Sequence, residues 1–92
     1  NMMHTLLLNG FMACIEVDDF TNALYFQKQI EKNFFEENET YFRIVYLWAE
    51  GLLDSKQGRA EEGQRKMEDA VRIFEMIGCS KSAGYYRNAI EC

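Results

Sequence analysis

The sequence predicts an all-α protein of about five helices arranged as antiparallel α-α hairpins, and three observations carry that expectation. Apolar side chains recur at helical spacing along nearly the whole chain, the 92 residues include no proline, and one helix-pair pattern is written twice. Without proline, nothing interrupts a helix from within by removing a backbone donor. In the first copy Leu7 to Phe11 leads into Asp18-Asp19-Phe20 and then Ala23, Leu24 and Ile30; in the second Leu47 to Gly51 leads into Gly58-Arg59-Ala60 and then Gly63, Met67 and Ala70. Phe11 with Gly51, Asp18 with Gly58, Ala23 with Gly63 and Ile30 with Ala70 align at one offset of about 40 residues, which marks stacked supersecondary units.

The elements follow in order. Residues 3–16 read as the first helix from Met3, Leu7, Phe11, Cys14 and Ile15, whose spacing suits a helix and not a strand. Val17-Asp18-Asp19 breaks it, and an aspartate ahead of Phe20 can accept the free amide hydrogens of a second helix. That helix buries Phe20, Ala23, Leu24, Ile30 and Phe34, with Phe26 beside them, and turns Lys28, Glu31 and Lys32 outward. Glu36 to Glu39 is the connector, and Asn38 or Thr40 begins helix three, which runs to about Gln57 and is apolar on most sides at Phe42, Ile44, Val45, Leu47, Trp48, Ala49, Leu52 and Leu53. Gly58 suits the left-handed residue that closes a helix, and Glu61 and Glu62 set negative charge against the positive end of helix four. Helix four has the cleanest period, Ala60, Gly63, Met67, Ala70, Phe74 and Ile77, widened by Val71 and Ile73, and its small residues admit close approach of helix three. Gly78 ends it, Ser80 caps a short fifth helix, and Tyr85, Tyr86, Ala89 and Ile90 give that helix an apolar side that covers the end of the stack.

Composition narrows the function. At 48% hydrophobic and 14% aromatic residues the chain is too apolar for a disordered tail. It is expected to be one repeat domain over 1–92, a fragment of a longer protein, because it starts at Asn1 with apolar positions from Met2 onward. A net charge of −5 repels phosphate backbones and no basic stripe opposes it, so this segment is not expected to bind nucleic acid itself. No apolar run approaches the roughly 20 residues that span a bilayer, and no secretory pattern is present. Cys14, Cys79 and Cys92 are odd in number and far apart, which fits a reducing cytoplasm better than a disulfide framework. His4 is the single histidine, so neither a histidine metal site nor a nucleophile-base pair has support; the chain reads as a non-enzyme without cofactor or metal.

The stretch Asp18-Asp19-Phe20-Thr21-Asn22-Ala23-Leu24-Tyr25-Phe26-Gln27-Lys28 resembles the turn and second helix of a tetratricopeptide repeat, and Gly51, Gly58 and Ala70 match in the second unit. The resemblance implies a right-handed superhelix of hairpins, with a spacing of about 40 in place of the usual 34 residues. The whole chain resembles the C-terminal part of Rgg/GadR/MutR-type transcriptional regulators, through the second helix pair, the run Gly63-x-x-x-Met67-x-x-Ala70-x-x-Ile73-Phe74-x-x-Ile77-Gly78, and Ala83-x-x-Tyr86. That resemblance implies a regulatory and dimerisation domain that in several members receives a short signalling peptide, with DNA contacted only by a separate N-terminal helix-turn-helix domain.

Two residue sets are candidates for binding. Arg43, Tyr46, Glu50, Asp54 and Gln57 fall at spacings of three or four and share one stripe of helix three. The stripe is either a solvated face or the lining of a concave groove that grips an extended peptide, continued on helix one by Asn9, Met12 and Glu16. Adjacent Tyr85 and Tyr86 cannot both face inward, so one is offered outward and, with Met76 and Ile90, forms a subunit contact in a homodimer. The competing expectation is a tetratricopeptide-like adaptor that holds protein partners with no DNA link.

Overall fold

The computed structural model describes residues 2–34 and 40–91, with side chains described over 5–32 and 40–90. Among the described residues every regular element is helical: α1 (Met2–Glu16), α2 (Phe20–Phe34), α3 (Thr40–Lys56), α4 (Ala60–Met76) and α5 (Ser80–Glu91). The chain divides into two compact units, Asn1–Arg43 and Ile44–Cys92.

Three chain reversals share one hydrogen-bond pattern. The Asp18 amide donates to the Ile15 carbonyl at 3.1 Å and the Asp19 amide to the Cys14 carbonyl at 2.8 Å; Gly58 and Arg59 do the same to Ser55 (3.4 Å) and Asp54 (2.8 Å), and Gly78 and Cys79 to Glu75 (3.2 Å) and Phe74 (2.8 Å). The first residue of each pair is left-handed, with φ of 61° at Asp18, 92° at Gly58 and 84° at Gly78. This double bond satisfies carbonyls that a helix end leaves without partners. The residue that follows opens the next helix: the carbonyls of Asp19, Arg59 and Cys79 accept the Ala23, Gly63 and Ala83 amides at 2.9, 2.9 and 3.0 Å. Stop and start are thus one device, which recurs about 20 residues on from Gly58 at Gly78 and so subdivides the longer repeat.

In the first unit α1 and α2 form a hairpin around buried Phe11, Ile15, Ala23 and Ile30. Asp19 caps α2 as expected, its Oδ1 accepting the Asn22 amide at 3.2 Å. The close approach is made by a ring on a glycine: a Cβ at Gly10 would stand 2.7 Å from two carbons of the Phe26 ring. Leu24 corrects the expected stripe, for it is 44% exposed. It lies about 100° around the helix from Ala23, on the flank of the buried face, where its counterpart in the second unit is the exposed polar residue Gln64. The side chain of Phe34, and the Asn38 position, lie outside the described residues.

In the second unit α3 is the most buried element, with Ile44, Val45, Trp48, Ala49 and Leu53 inside. It crosses α4 with backbone against backbone. A Cβ at Gly51 would stand 2.5 Å from the Gly63 carbonyl oxygen, and one at Gly63 would collide with the Gly51 carbonyl and the Ser55 hydroxyl and stand 2.7 Å from the Ser55 nitrogen. Each glycine therefore points a Cα hydrogen at the other's carbonyl, a weak reciprocal contact that requires both side chains to be absent. Away from this crossing the seam fills with Ala70, Val71, Phe74 and Trp48, and burying a side chain such as Phe74 stabilises by about 2 to 3 kcal/mol.

Helix α5 packs on α4, and its Tyr86 ring stacks on Phe74 (centroids 5.5 Å apart, planes at 10°) while tilting against Trp48 at 5.1 Å. Four end positions depart from the expected pattern. Ala60 and Ala89 are exposed, and Ile77 is 49% exposed, because periodicity continues to helix ends that no neighbour covers. Ala83, 2% exposed, is the alanine that faces inward. The residue opening α5 is Cys79 and not Ser80, since the left-handed Gly78 fixes the next residue as the first carbonyl acceptor.

Two stability outcomes follow from these contacts. Gly63→Ala is expected to lose about 3 kcal/mol or more, because backbone and not a yielding side-chain tip opposes the new methyl; denaturant unfolding that finds less than 1 kcal/mol would show the two helices to be easily separable. Asp18→Gly is expected to gain roughly 1 kcal/mol by removing the left-handed penalty on a residue with a Cβ, and a lowered melting temperature would contradict that.

Candidate functional site

The α3 stripe resolves into two ends of different character. At the C-terminal end Asp54 is 8% exposed. Its Oδ1 accepts from Arg59 Nη2 at 2.8 Å and Nε at 3.2 Å, and its Oδ2 accepts from Lys66 Nζ at 2.7 Å. Arg59 Nη2 also donates to the half-buried Gln57 at 3.1 Å. The main-chain carbonyl of the same Asp54 accepts the Arg59 and Gln57 amides at 2.8 and 3.1 Å. Arg59 is the residue that opens α4 and carries no side-chain cap for it; its guanidinium turns back to α3 instead. Burial alone would push the Asp54 carboxyl up, but hydrogen bonds from Lys66 and Arg59, together with their charges, outweigh it and hold the group below its ordinary carboxylate value.

Asp54 therefore fastens α3, the turn and α4 at one point, with both carboxylate oxygens bonded inside the chain. Sequence reasoning missed Arg59 and Lys66 as its partners. The available signal was weak: Lys66 sits immediately beside Met67 on the apolar stripe of α4, where a cation needs an acceptor.

At the other end of the stripe Arg43 is exposed, Tyr46 is buried at 3% exposure and Glu50 is half-buried. The first-unit candidates lie on α1, with Asn9 and Glu16 exposed and Met12 half-buried between them in spacing.

The second candidate face is on α4 and α5. Met76 is 78% and Tyr85 70% exposed, and Tyr85 meets Tyr86 edge-on at 4.9 Å. One tyrosine of the pair faces out and the other in, as their adjacency requires. Ile90, half-buried, lines a groove of about 430 Å³ on α4 and α5 with Val71, Arg72, Glu75 and Arg87, and Arg87 Nη2 bonds Glu75 Oε2 across it at 2.8 Å. Cys14 and Cys79 are free thiols, half-buried; Cys92 lies outside the described residues. Among the described residues no helix is long and apolar enough to cross a membrane.

Because the folded carboxyl titrates below its unfolded value, the stabilisation from Asp54 is fully present above about pH 4 to 5 and is lost as the pH falls through the depressed folded value. Asp54→Asn is expected to cost about 2 kcal/mol at pH 7, and the gap between the two proteins should close in acid below about pH 4. Urea titrations of both across that range measure it, and a gap that persists unchanged into acid would remove the ion pairs as its cause.

Comparison with curated proteins and with solved structures yields no significant match. The sequence pattern of one family, the C-terminal domain of the HTH-type transcriptional regulator Rgg, matches residues 1–88, nearly the full length, as the resemblance carried by Gly63 to Gly78 implied. This helical chain with a fastened α3–α4 pair accordingly belongs to the Rgg C-terminal domain family of transcriptional regulators.

Proposed function

We propose that this domain pairs two copies of the regulator through α4 and α5 and responds to a short peptide bound at α3, so that the state of the pair is read by DNA-binding domains elsewhere in the regulator. The observation that carries the pairing is the outward display of Met76 and Tyr85, large apolar side chains at 78% and 70% exposure on successive helices. Methionine and tyrosine are favoured in the buried centres of protein interfaces. Tyr86 backs Tyr85 from within, and Ile90, half-buried in the groove beside Arg87, lies on the Tyr86 side of α5.

For the peptide, Arg43 and Glu50 on α3 supply a guanidinium and a carboxylate two turns apart on one stripe, with Tyr46 buried between them in spacing, a pair suited to the backbone and end groups of an extended chain. Asn9, Met12 and Glu16 on α1 are the candidates that the first unit supplies. Asp54 serves this reading by anchoring α3, since its oxygens are already engaged by Arg59 and Lys66. A peptide shifts the protein only by the difference in its affinity for two conformations. The adaptor reading shares the fold but leaves the family match over residues 1–88 without a role.

Sedimentation of the 92-residue chain at a few tens of micromolar, a range suited to weak interfaces of roughly 1,200 Å², tests the pairing. A dimer that becomes monomeric on Tyr85→Glu with Met76→Glu supports it, and a monomer at that concentration rejects it. Peptides are tested by thermal stability: a binder at a hundredfold excess over its Kd stabilises by about 2.7 kcal/mol, and the gain should vanish in Glu50→Ala.

A further inference from the structure

Trp48 is the single tryptophan of the chain, and its ring is where α3 meets α5. The side chain is sealed, with the residue 5% exposed, and its Nε1–H finds no acceptor among the described residues. A donor taken out of water without a partner forfeits the bond that it makes when solvated, so the closed arrangement carries a penalty located at one atom. The elements around it are held unequally. Helices α3 and α4 are joined by the Gly51–Gly63 backbone contact and by Asp54 with Arg59 and Lys66. Among the described residues of α5 only Ala83 is buried, against eight on α3, and the contacts of α5 with α4 include the Tyr86 ring on Phe74 and an Arg87–Glu75 pair whose side chains are 47% and 48% exposed, a kind of pair that contributes little.

We propose that α5 is a releasable latch: it leaves Trp48 and Phe74 more readily than α3 and α4 part, and its release hydrates the indole nitrogen. The chemistry favours this because opening recovers a hydrogen bond for Trp48, whereas parting α3 from α4 would break the paired charges of Asp54. Local openings of this kind are expected where few buried contacts hold an element. The latch has an external handle, because the exposed Tyr85 ring packs against the inward Tyr86. A surface that grips Tyr85 biases α5 towards one position. The inference concerns the isolated chain and stands whether or not α3 receives a peptide.

Since there is one tryptophan, growth of a tryptophan auxotroph on β-(3-benzothienyl)alanine replaces a single N–H by sulfur in a side chain of nearly the same shape. Hydrogen exchange by mass spectrometry is then read helix by helix. In the unsubstituted chain the α5 amides should exchange faster than those of α3 and α4; in the substituted chain the α5 amides should slow by about tenfold, the effect of restoring one forfeited bond, with little change in α3 and α4. Exchange of α5 as slow as that of α4 in the unsubstituted chain overturns the latch without needing the substitution. Slowing spread evenly over all three helices, or none, assigns the penalty elsewhere and overturns the role of Trp48.

Discussion

The second unit depends on the crossing of Gly51 and Gly63. Because each glycine presents its missing side chain to the other's carbonyl, α3 and α4 approach to backbone contact near the turn. The short arm of Asp54 can therefore reach Lys66, which is twelve residues away in the chain. A carboxylate on so short a stem would not span a seam opened by larger residues. Further from the turn the side chains grow, through Ala70 and Val71 to Phe74 and Trp48, and it is there that Tyr86 of α5 inserts its ring. Small residues near the turn and aromatic ones beyond it give the helix pair a graded seam, with ion pairs at one end and stacked rings at the other.

The first unit meets the same need by a different route. Its hairpin lets the Phe26 ring lie on Gly10, so contact is ring on backbone. Its turn uses Asp18 where the others use glycine, at the same left-handed geometry and with the same two hydrogen bonds. Aspartate tolerates that conformation better than most residues, and the neighbouring Asp19 at once caps the helix that follows. The backbone pattern of the turn is thus conserved within the chain while the side chains that achieve it differ, because hydrogen bonds between main-chain groups specify the path and side chains only permit it.

The helices and their ends were legible because the features that make them are local: periodic apolar residues, left-handed glycines at Gly58 and Gly78, a capping aspartate at Asp19. Leu24, Ile77, Ala60 and Ala89 were not, because spacing fixes the angular position of a residue on its helix and says nothing of whether a neighbour covers it. Asp54 shows the same limit at the candidate site. Its spacing to Glu50 and Gln57 is that of a solvated polar face, and what distinguishes it is a pair of cations on the turn and on the next helix. The family was legible for a different reason: the run from Gly63 to Gly78 contains the crossing, the aromatic seat of Tyr86 and the turn, so the residues that carry the resemblance are those that the packing constrains most tightly.

These constraints decide which parts of the second unit can shift most readily. A helix pair joined by backbone contact and by a buried carboxylate with two cations moves as one body, since separating it would strip paired charges of their partners. Change is cheaper at parts of the chain held by fewer such contacts. Beyond α4 that leaves α5, of which Ala83 is the buried residue. Trp48 lies on α3 between Tyr46 and Glu50 and touches Tyr86 of α5. The ring contact of Trp48 with Tyr86 therefore joins α3 to the last helix, while the tie at Asp54 keeps the register of α3 and α4 fixed.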